Sequence, residues 1–356
     1  MQLSWERVEL TKRHPLTISR GTIAGATSVI VSVEEDGIVG RGEMAPSSVT
    51  GDTPESAEDD LARWQLRLEK RHPLQRQLIE ADIAASDVEW GGSATRCALD
   101  VALHDWAGHR AGLSLWKLWG LDRDRIAPTS LTVGLNPADV VRQVTAEILS
   151  RTNARILKVK LGSPAGLDHD RDVFSAAVEA AVAFGPIIWR VDANGGWTVP
   201  SAQMMIPWLA ERGVEMVEQP LATGDEEGLV AVHHFSALPV FVDESISTAR
   251  DIVSLADRVD GVNLKLMKTG GISEALRLIH TARAHGLKVM IGCMGESSLS
   301  IAAGAQLSAL VDAVDLDSHL NLINDPFTGT RFVNGRVLPG DGPGLGISRR
   351  NQEHSS

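Results

Sequence analysis

Apolar residues follow different periods in different stretches of the chain. Residues 1–50 alternate: TSVIVSV (Thr27–Val33) leads into Glu35-Asp36-Gly37 and then IVGRGEM. Side chains that switch face at every residue mark half-buried strands, and Asp-Gly between two such runs predicts a hairpin. Residues 54–119 change period. Pro54 and a run of acidic residues open one helix, and SATRCALDVALHDWAGHRAG opens a second, with Ser93 as its expected N-cap and Gly112 where the pattern stops. Strands followed by helices make this part an α+β unit.

From about Ala127, short apolar runs alternate with helix-period stretches. The runs are SLTVGL, RILKVKLG, IIWRVDAN, VEMVEQP, PVFVDES, GVNLKLM, KVMIGCM and AVDLDSH, eight in all with seven helical segments between them. Such alternation implies parallel strands joined by crossovers, and eight strands can close on themselves. The expected fold is α/β: a (β/α)7β TIM-like barrel over residues 126–320, with an α+β capping domain over 1–125. The Gly- and Pro-rich segment 321–356 contains FVNGRVL, a hairpin with an Asn-Gly turn, and is expected to complete the capping domain. The polar tail beyond Ser348 is expected to fray.

A length of 356 residues accommodates two such domains, and 43% hydrophobic with 22% charged residues is an ordinary globular balance. Lys and Arg total 34 against 46 Asp and Glu, a formal charge of −12. That field argues against nucleic acid or an anionic membrane as partner. Cys97 and Cys293 are too far apart in sequence to argue a disulfide framework or a thiolate metal site. The start MQLSWERVEL lacks the apolar core of a signal peptide, and no apolar run approaches the ~18 residues of a membrane span. A cytoplasmic protein is expected.

Polar residues at the strand ends carry the chemistry. Lys160 to Asp192 is 32 residues, Asp192 to Glu218 is 26, Glu218 to Asp243 is 25 and Asp243 to Lys265 is 22, each the length of one βα unit. Side chains at the C-terminal ends of successive barrel strands converge on one mouth. Singly, Asp192, Glu218 and Asp243 would be solvated strand ends or helix caps. In register they repel one another unless a cation lies among them, and three hard oxygen donors without His or Cys favour Mg²⁺ over zinc. Lys158 and Lys160 share a strand face, and Lys265 comes four strands later, across the barrel. Burial, the neighbouring Lys158 and a cation all disfavour the ammonium form of Lys160. Lys268 reads as surface charge, and His233-His234 as a surface or packing pair on a helix. A proton α to a carboxylate can be removed by an amine when the oxygens gaining charge are stabilised, and a base on each face permits inversion of the carbon.

KVK, VDAN, VEQP, VDES and NLKLMKTGG, in this order and spacing, resemble the enolase superfamily and specifically its muconate-lactonizing subgroup; ATRCALDVALHDWAGHRAGLSLWKLWG resembles the helical part of that family's capping domain. Lys bases with Mg²⁺ are typical of enolase-type sites. The resemblance implies one Mg²⁺ per subunit on Asp192, Glu218 and Asp243. It implies Lys160 and Lys265 as the acid/base pair, and Lys158 as support for the substrate carbonyl. Asp315 and Asp317 in AVDLDSH resemble the DxD hallmark of dipeptide epimerases, where it holds the α-ammonium. Spacing alone leaves them equally readable as strand-end caps.

Arg20 resembles the arginine that contacts the acidic side chain in Ala-Glu epimerases, and equally reads as a surface residue of a mobile loop. Val49–Thr53 resembles the second covering loop. Cys293, Met294, Gly295 and Glu296 are placed to line the side-chain pocket. The expected activity is Mg²⁺-dependent epimerisation of a dipeptide, Ala-Glu or another Ala-Xaa, at its second residue. The same site on another substrate would serve a muconate-type cycloisomerase or an o-succinylbenzoate synthase, and a non-catalytic metal-stabilised binding barrel is the third reading. By family analogy a homo-oligomer is expected.

Overall fold

The computed structural model describes residues 1–84 and 91–350. The N-terminal part is an antiparallel meander of β1 (Gln2–Ile18), β2 (Gly21–Glu35) and β3 (Ile38–Met44). Asp36 and Gly37 both take positive φ, 52° and 72°, as the expected two-residue hairpin between β2 and β3 requires. An earlier hairpin precedes it, turning at Ser19 and Arg20. Helices α1 (Pro54–Leu68), α2 (Arg76–Ala84), α3 (Ser93–Ala111) and α4 (Leu115–Leu118) follow. Val29, Val31 and Val33 of β2 are buried together with Ala94, Cys97, Ala98, Val101 and Ala102 of α3.

Ser93 is the first helical residue of α3 and not its cap. The cap position is Gly92, and the Asp52 carboxylate instead accepts from the Ala94 N–H at 3.1 Å. A side chain distant in sequence thus does the work that the local pattern assigned to Ser93. At the other end, Gly112 stops the helix in the left-handed conformation, as expected.

The second part alternates strand and helix: β4 (Leu131–Val133), α5 (Ala138–Thr152), β5 (Ile156–Lys160), α6 (Leu167–Ala181), β6 (Ile188–Asp192), α7 (Val199–Ala210), β7 (Val214–Glu218), α8 (Glu226–Phe235), β8 (Val240–Val242), α9 (Ile252–Leu255), β9 (Gly261–Lys265), α10 (Leu266–Thr269), α11 (Ile272–Ala284), β10 (Lys288–Gly292), α12 (Ser298–Leu307) and β11 (Ala313–Asp315). The eight strands pair in parallel in sequence order, and a Thr129–Val314 bridge joins the first to the last. This is the expected (β/α)7β barrel. Met216, Phe241, Met290 and Ala313, two residues before the strand-end positions on their strands, form a separate buried cluster. They make an apolar floor beneath the polar mouth.

The chain then returns to the meander. Leu322 bridges to Lys12, Ile323 N–H donates to Thr11 O at 3.0 Å, and the Asn321 amide donates to His14 O at 2.8 Å. Strand β12 (Phe327–Thr328) precedes the hairpin of β13 (Arg331–Val333) and β14 (Arg336–Leu338), whose Asn334 and Gly335 both take positive φ. β15 (Ser348–Arg349) pairs with β12, and Arg349 forms an ion pair with Glu6. The tail is therefore anchored at Arg349 instead of fraying from Ser348; residues 351–356 lie outside the described part. Among the described residues, no helix is long and apolar enough to cross a membrane.

Candidate active site

The strand ends converge as their spacing predicts. Asp192, Glu218 and Asp243 are buried at the tips of β6 and β7 and just past β8, with one carboxylate oxygen from each within 4.8 Å of the others. Four lysine ammonium groups lie against them. Lys160 donates to Asp192 Oδ2 at 2.5 Å and Lys158 to Glu218 Oε2 at 3.1 Å. Lys265 donates to Asp243 Oδ2 at 2.7 Å and Lys268 to its Oδ1 at 2.6 Å. Lys268 is thus no surface charge: it is 3% exposed. Its position three residues after Lys265, just past a strand end, carried the only available signal. An isolated lysine followed by Thr-Gly-Gly looks solvated unless the turn folds it under the strand.

Amides orient the carboxylates. Asn263 Nδ2 donates to Glu218 Oε1 at 2.6 Å, and Asn194 N–H and Nδ2 donate to Asp192 at 2.8 and 3.1 Å. Neither amide was singled out from sequence. Asn263 follows from the strand period, lying two residues before Lys265 on β9, whereas Asn194 is set by a turn just past β6, where it takes a positive φ of 44°.

Burial opposes charge on all these groups, and the pairing decides the outcome. Burial pushes the Glu218 carboxyl up, helped by Asp192. Burial acts the same way on Asp243, yet Lys265 and Lys268 hold it far below the usual carboxylate range. In return Asp243 holds the Lys265 ammonium above its ordinary value against desolvation. Lys158 is likewise held charged, against burial, by Asp315, Glu218 and Asp192. Burial outweighs Asp243 at Lys268 and lowers it.

At the end of β11, Asp315 bonds Lys158 through Oδ2 and accepts from Ser130 Oγ at 2.5 Å through Oδ1. Asp317 Oδ2 accepts from the Thr132 N–H at 2.6 Å, while its Oδ1 has, among the described residues, only the Cys293 thiol, 3.9 Å away. Burial, with Asp315 alongside, pushes the Asp317 carboxyl up. Burial also raises the Cys293 thiol well above its ordinary value, which disfavours the thiolate.

A cavity of about 410 Å³ lies over the mouth, lined by Lys158, Lys160, Asp243, Lys265, Asp315 and Asp317 among others. The meander covers it through Leu16, Ile18, Arg20 and Ile23, and the loop after β3 through Val49. Cys293, Met294 and Gly295 line it too. Glu296 sits beneath, 3% exposed, and accepts from the Met294 N–H at 2.8 Å. Arg20 is spoken for: its guanidinium forms an ion pair with Glu244 at 2.7 Å and donates to Asn194 O at 3.2 Å. His233 and His234 lie on α8, away from the mouth, with His233 3.5 Å from Asp260.

Residues 4–120 match the Mandelate racemase / muconate lactonizing enzyme, N-terminal domain family, and residues 139–353 match the Enolase C-terminal domain-like family. The chain belongs to the enolase superfamily. It is 48% identical over 354 residues to the hydrophobic dipeptide epimerase of Roseobacter litoralis, covering 97% of this chain and 98% of that one. Two solved structures of the superfamily superpose on it. The L-Ala-D/L-Glu epimerase of Bacillus subtilis, solved as a substrate-liganded complex, has a TM-score of 0.90 and 30% identity over 98% of each chain. The dipeptide epimerase of Enterococcus faecalis, complexed with Mg and L-Leu-L-Tyr, has a TM-score of 0.89 and 32% identity, covering 98% of this chain and 99% of that one.

Proposed function

We propose that this superfamily member is a Mg²⁺-dependent dipeptide epimerase that inverts the α-carbon of the second residue through two bases, Lys160 and Lys265. The observation that carries the reading is the disposition of those amines. Each lines the cavity from a strand four places from the other in an eight-stranded barrel, with three buried carboxylates between them. The donor set fits a hard divalent cation: oxygen only, buried and crowded, on Asp192, Glu218 and Asp243. When bound, the cation supplies positive charge where the substrate carboxylate gains electron density as the α-proton leaves.

The chain's own residues do the rest. One lysine accepts the α-proton at Nζ, and the other, as ammonium, returns a proton to the opposite face. Asp243 holds Lys265 as ammonium through Oδ2, a pairing that would weaken with a cation on the same carboxylate. Asp317, with Oδ1 short of a strong donor, receives the substrate's α-ammonium, and Asp315 holds Lys158 beside the substrate carboxylate. Both aspartates would repel the dicarboxylates of a cycloisomerase or a succinylbenzoate synthase.

The second residue's side chain is best apolar. Leu16, Ile18, Ile23 and Val49 cover the cavity, and Arg20 is neutralised by Glu244. The hydrophobic dipeptide epimerase named above supports the same preference.

In D₂O, L-Ala-L-Leu should acquire deuterium at the second α-carbon as it inverts, faster than L-Ala-L-Glu, monitored by mass shift and NMR. Lys160→Ala and Lys265→Ala should each abolish inversion. Inversion persisting in both variants would end the two-base reading.

A further inference from the structure

Lys268 is the cation of the site whose duty the proton chemistry leaves open. Its ammonium has three donors, and three acceptors take them: Asp243 Oδ1 at 2.6 Å, the Asp243 backbone carbonyl, and Asn263 O at 3.1 Å. Among the described residues, Lys265 donates only to Asp243 Oδ2, and it lines the cavity; Lys268 is 3% exposed and does not line it. One ammonium can therefore change partners, and the other is fixed.

The backbone shows what is being fixed. Strands β8 and β9 register only through Phe241–Gly261 and Val242–Val262, so the ladder ends before Asp243. Lys268 joins the strands beyond that point, tying Asp243 to Asn263, whose amide in turn orients Glu218 at 2.6 Å. A buried ion pair is weak evidence for stability, because apolar side chains of similar volume often do as well. Its retention beneath a carboxylate that must present one oxygen to the mouth calls for a different account.

We infer that Lys268 is a positioning residue: it commits Asp243 Oδ1 and the carbonyls beside it, so that Oδ2 alone faces the mouth in a fixed orientation for a divalent cation. The inference rests on the reading above that these carboxylates take such a cation. Its test is calorimetric titration of the substrate-free protein with Mg²⁺ alone, comparing the parent, Lys268→Met and Lys268→Arg, with folding checked by circular dichroism and thermal melting. Should the Met variant not fold, Lys268→Gln replaces it as the neutral variant.

The neutral variant should bind Mg²⁺ at least fivefold more weakly than the parent, with the Arg variant, which keeps the charge, tighter than the neutral one. Raising Mg²⁺ should restore kcat in the neutral variant. A smaller loss of affinity, or an Arg variant no better than the neutral one, overturns the inference while leaving the cation site standing. A parent that binds no Mg²⁺ overturns both.

Discussion

Asp315, the last residue of β11, and Asp317, two residues beyond it, have different partners. Both oxygens of Asp315 are occupied, by Lys158 and Ser130, whereas Asp317 keeps one oxygen with only a distant thiol for company. Asp317→Asn should therefore raise KM for a dipeptide by about 10- to 100-fold with kcat little changed, since a hydrogen bond to a charged group contributes about 1.5–3 kcal/mol. Asp315→Asn should instead lower kcat by loosening Lys158. Steady-state kinetics of the two variants separates these effects, and equal KM increases would contradict the division. The carboxylates and the lysine pair were legible in the sequence because strand-end spacing is a property of the chain itself. Lys268 and the Arg20–Glu244 pair were not, because what a long side chain touches depends on where a remote strand or turn lies, and no local period encodes that.

Elements were legible wherever periodicity and turn chemistry agreed, as in the Asp36-Gly37 and Asn334-Gly335 turns. What stayed hidden were close approaches between elements. In β3, a Cβ on Gly42 would lie 1.9 Å from Ala98 O of α3, and one on Gly40 would lie 2.1 Å from Ala102 O. The helix backbone thus rests directly on the strand, and the glycines are there for lack of room. Gly42→Ala should destabilise the protein by about 1–3 kcal/mol or more through overpacking, read by urea denaturation. At the start of α1, Thr53 and Ser56 exchange side chain to backbone hydrogen bonds in a capping box. Thr53→Ala should cost about 1 kcal/mol, with activity unaffected. A Gly42→Ala protein as stable as the parent would mean that β3 and α3 can separate at little cost.

For the molecule as a whole, two buried carboxyls at the junction of meander and barrel set a pH dependence. Glu43 of β3 accepts from the Ser297 N–H at 3.1 Å and from the Ser300 N–H at 3.3 Å at the start of α12, and burial pushes it up. Burial, with Glu43 nearby, pushes Glu296 from its ordinary 4.5 up to about 8. A carboxyl raised on folding binds more protons in the native state, so its contribution is complete below about pH 4.5 and is lost as pH rises through about 8. The melting temperature should fall between pH 6 and 9, and Glu296→Gln should flatten that fall; an unchanged slope would place the titration elsewhere. Mg²⁺ should raise the melting temperature and a chelator reverse the gain, because an ion held only by the native state stabilises it.

The hairpin turning at Ser19 and Arg20 reaches the barrel through the Glu244 ion pair and hydrogen bonds to the Asn194 carbonyl, while the proposed acid–base and cation residues stand at the strand ends below. On the reading proposed above, the hairpin meets the second side chain while the barrel holds the ammonium and the exchanging lysines, which makes the hairpin a replaceable part. Transplanting residues 16–23 from a relative that favours acidic dipeptides should retool what the enzyme accepts while leaving the proton exchange beneath untouched.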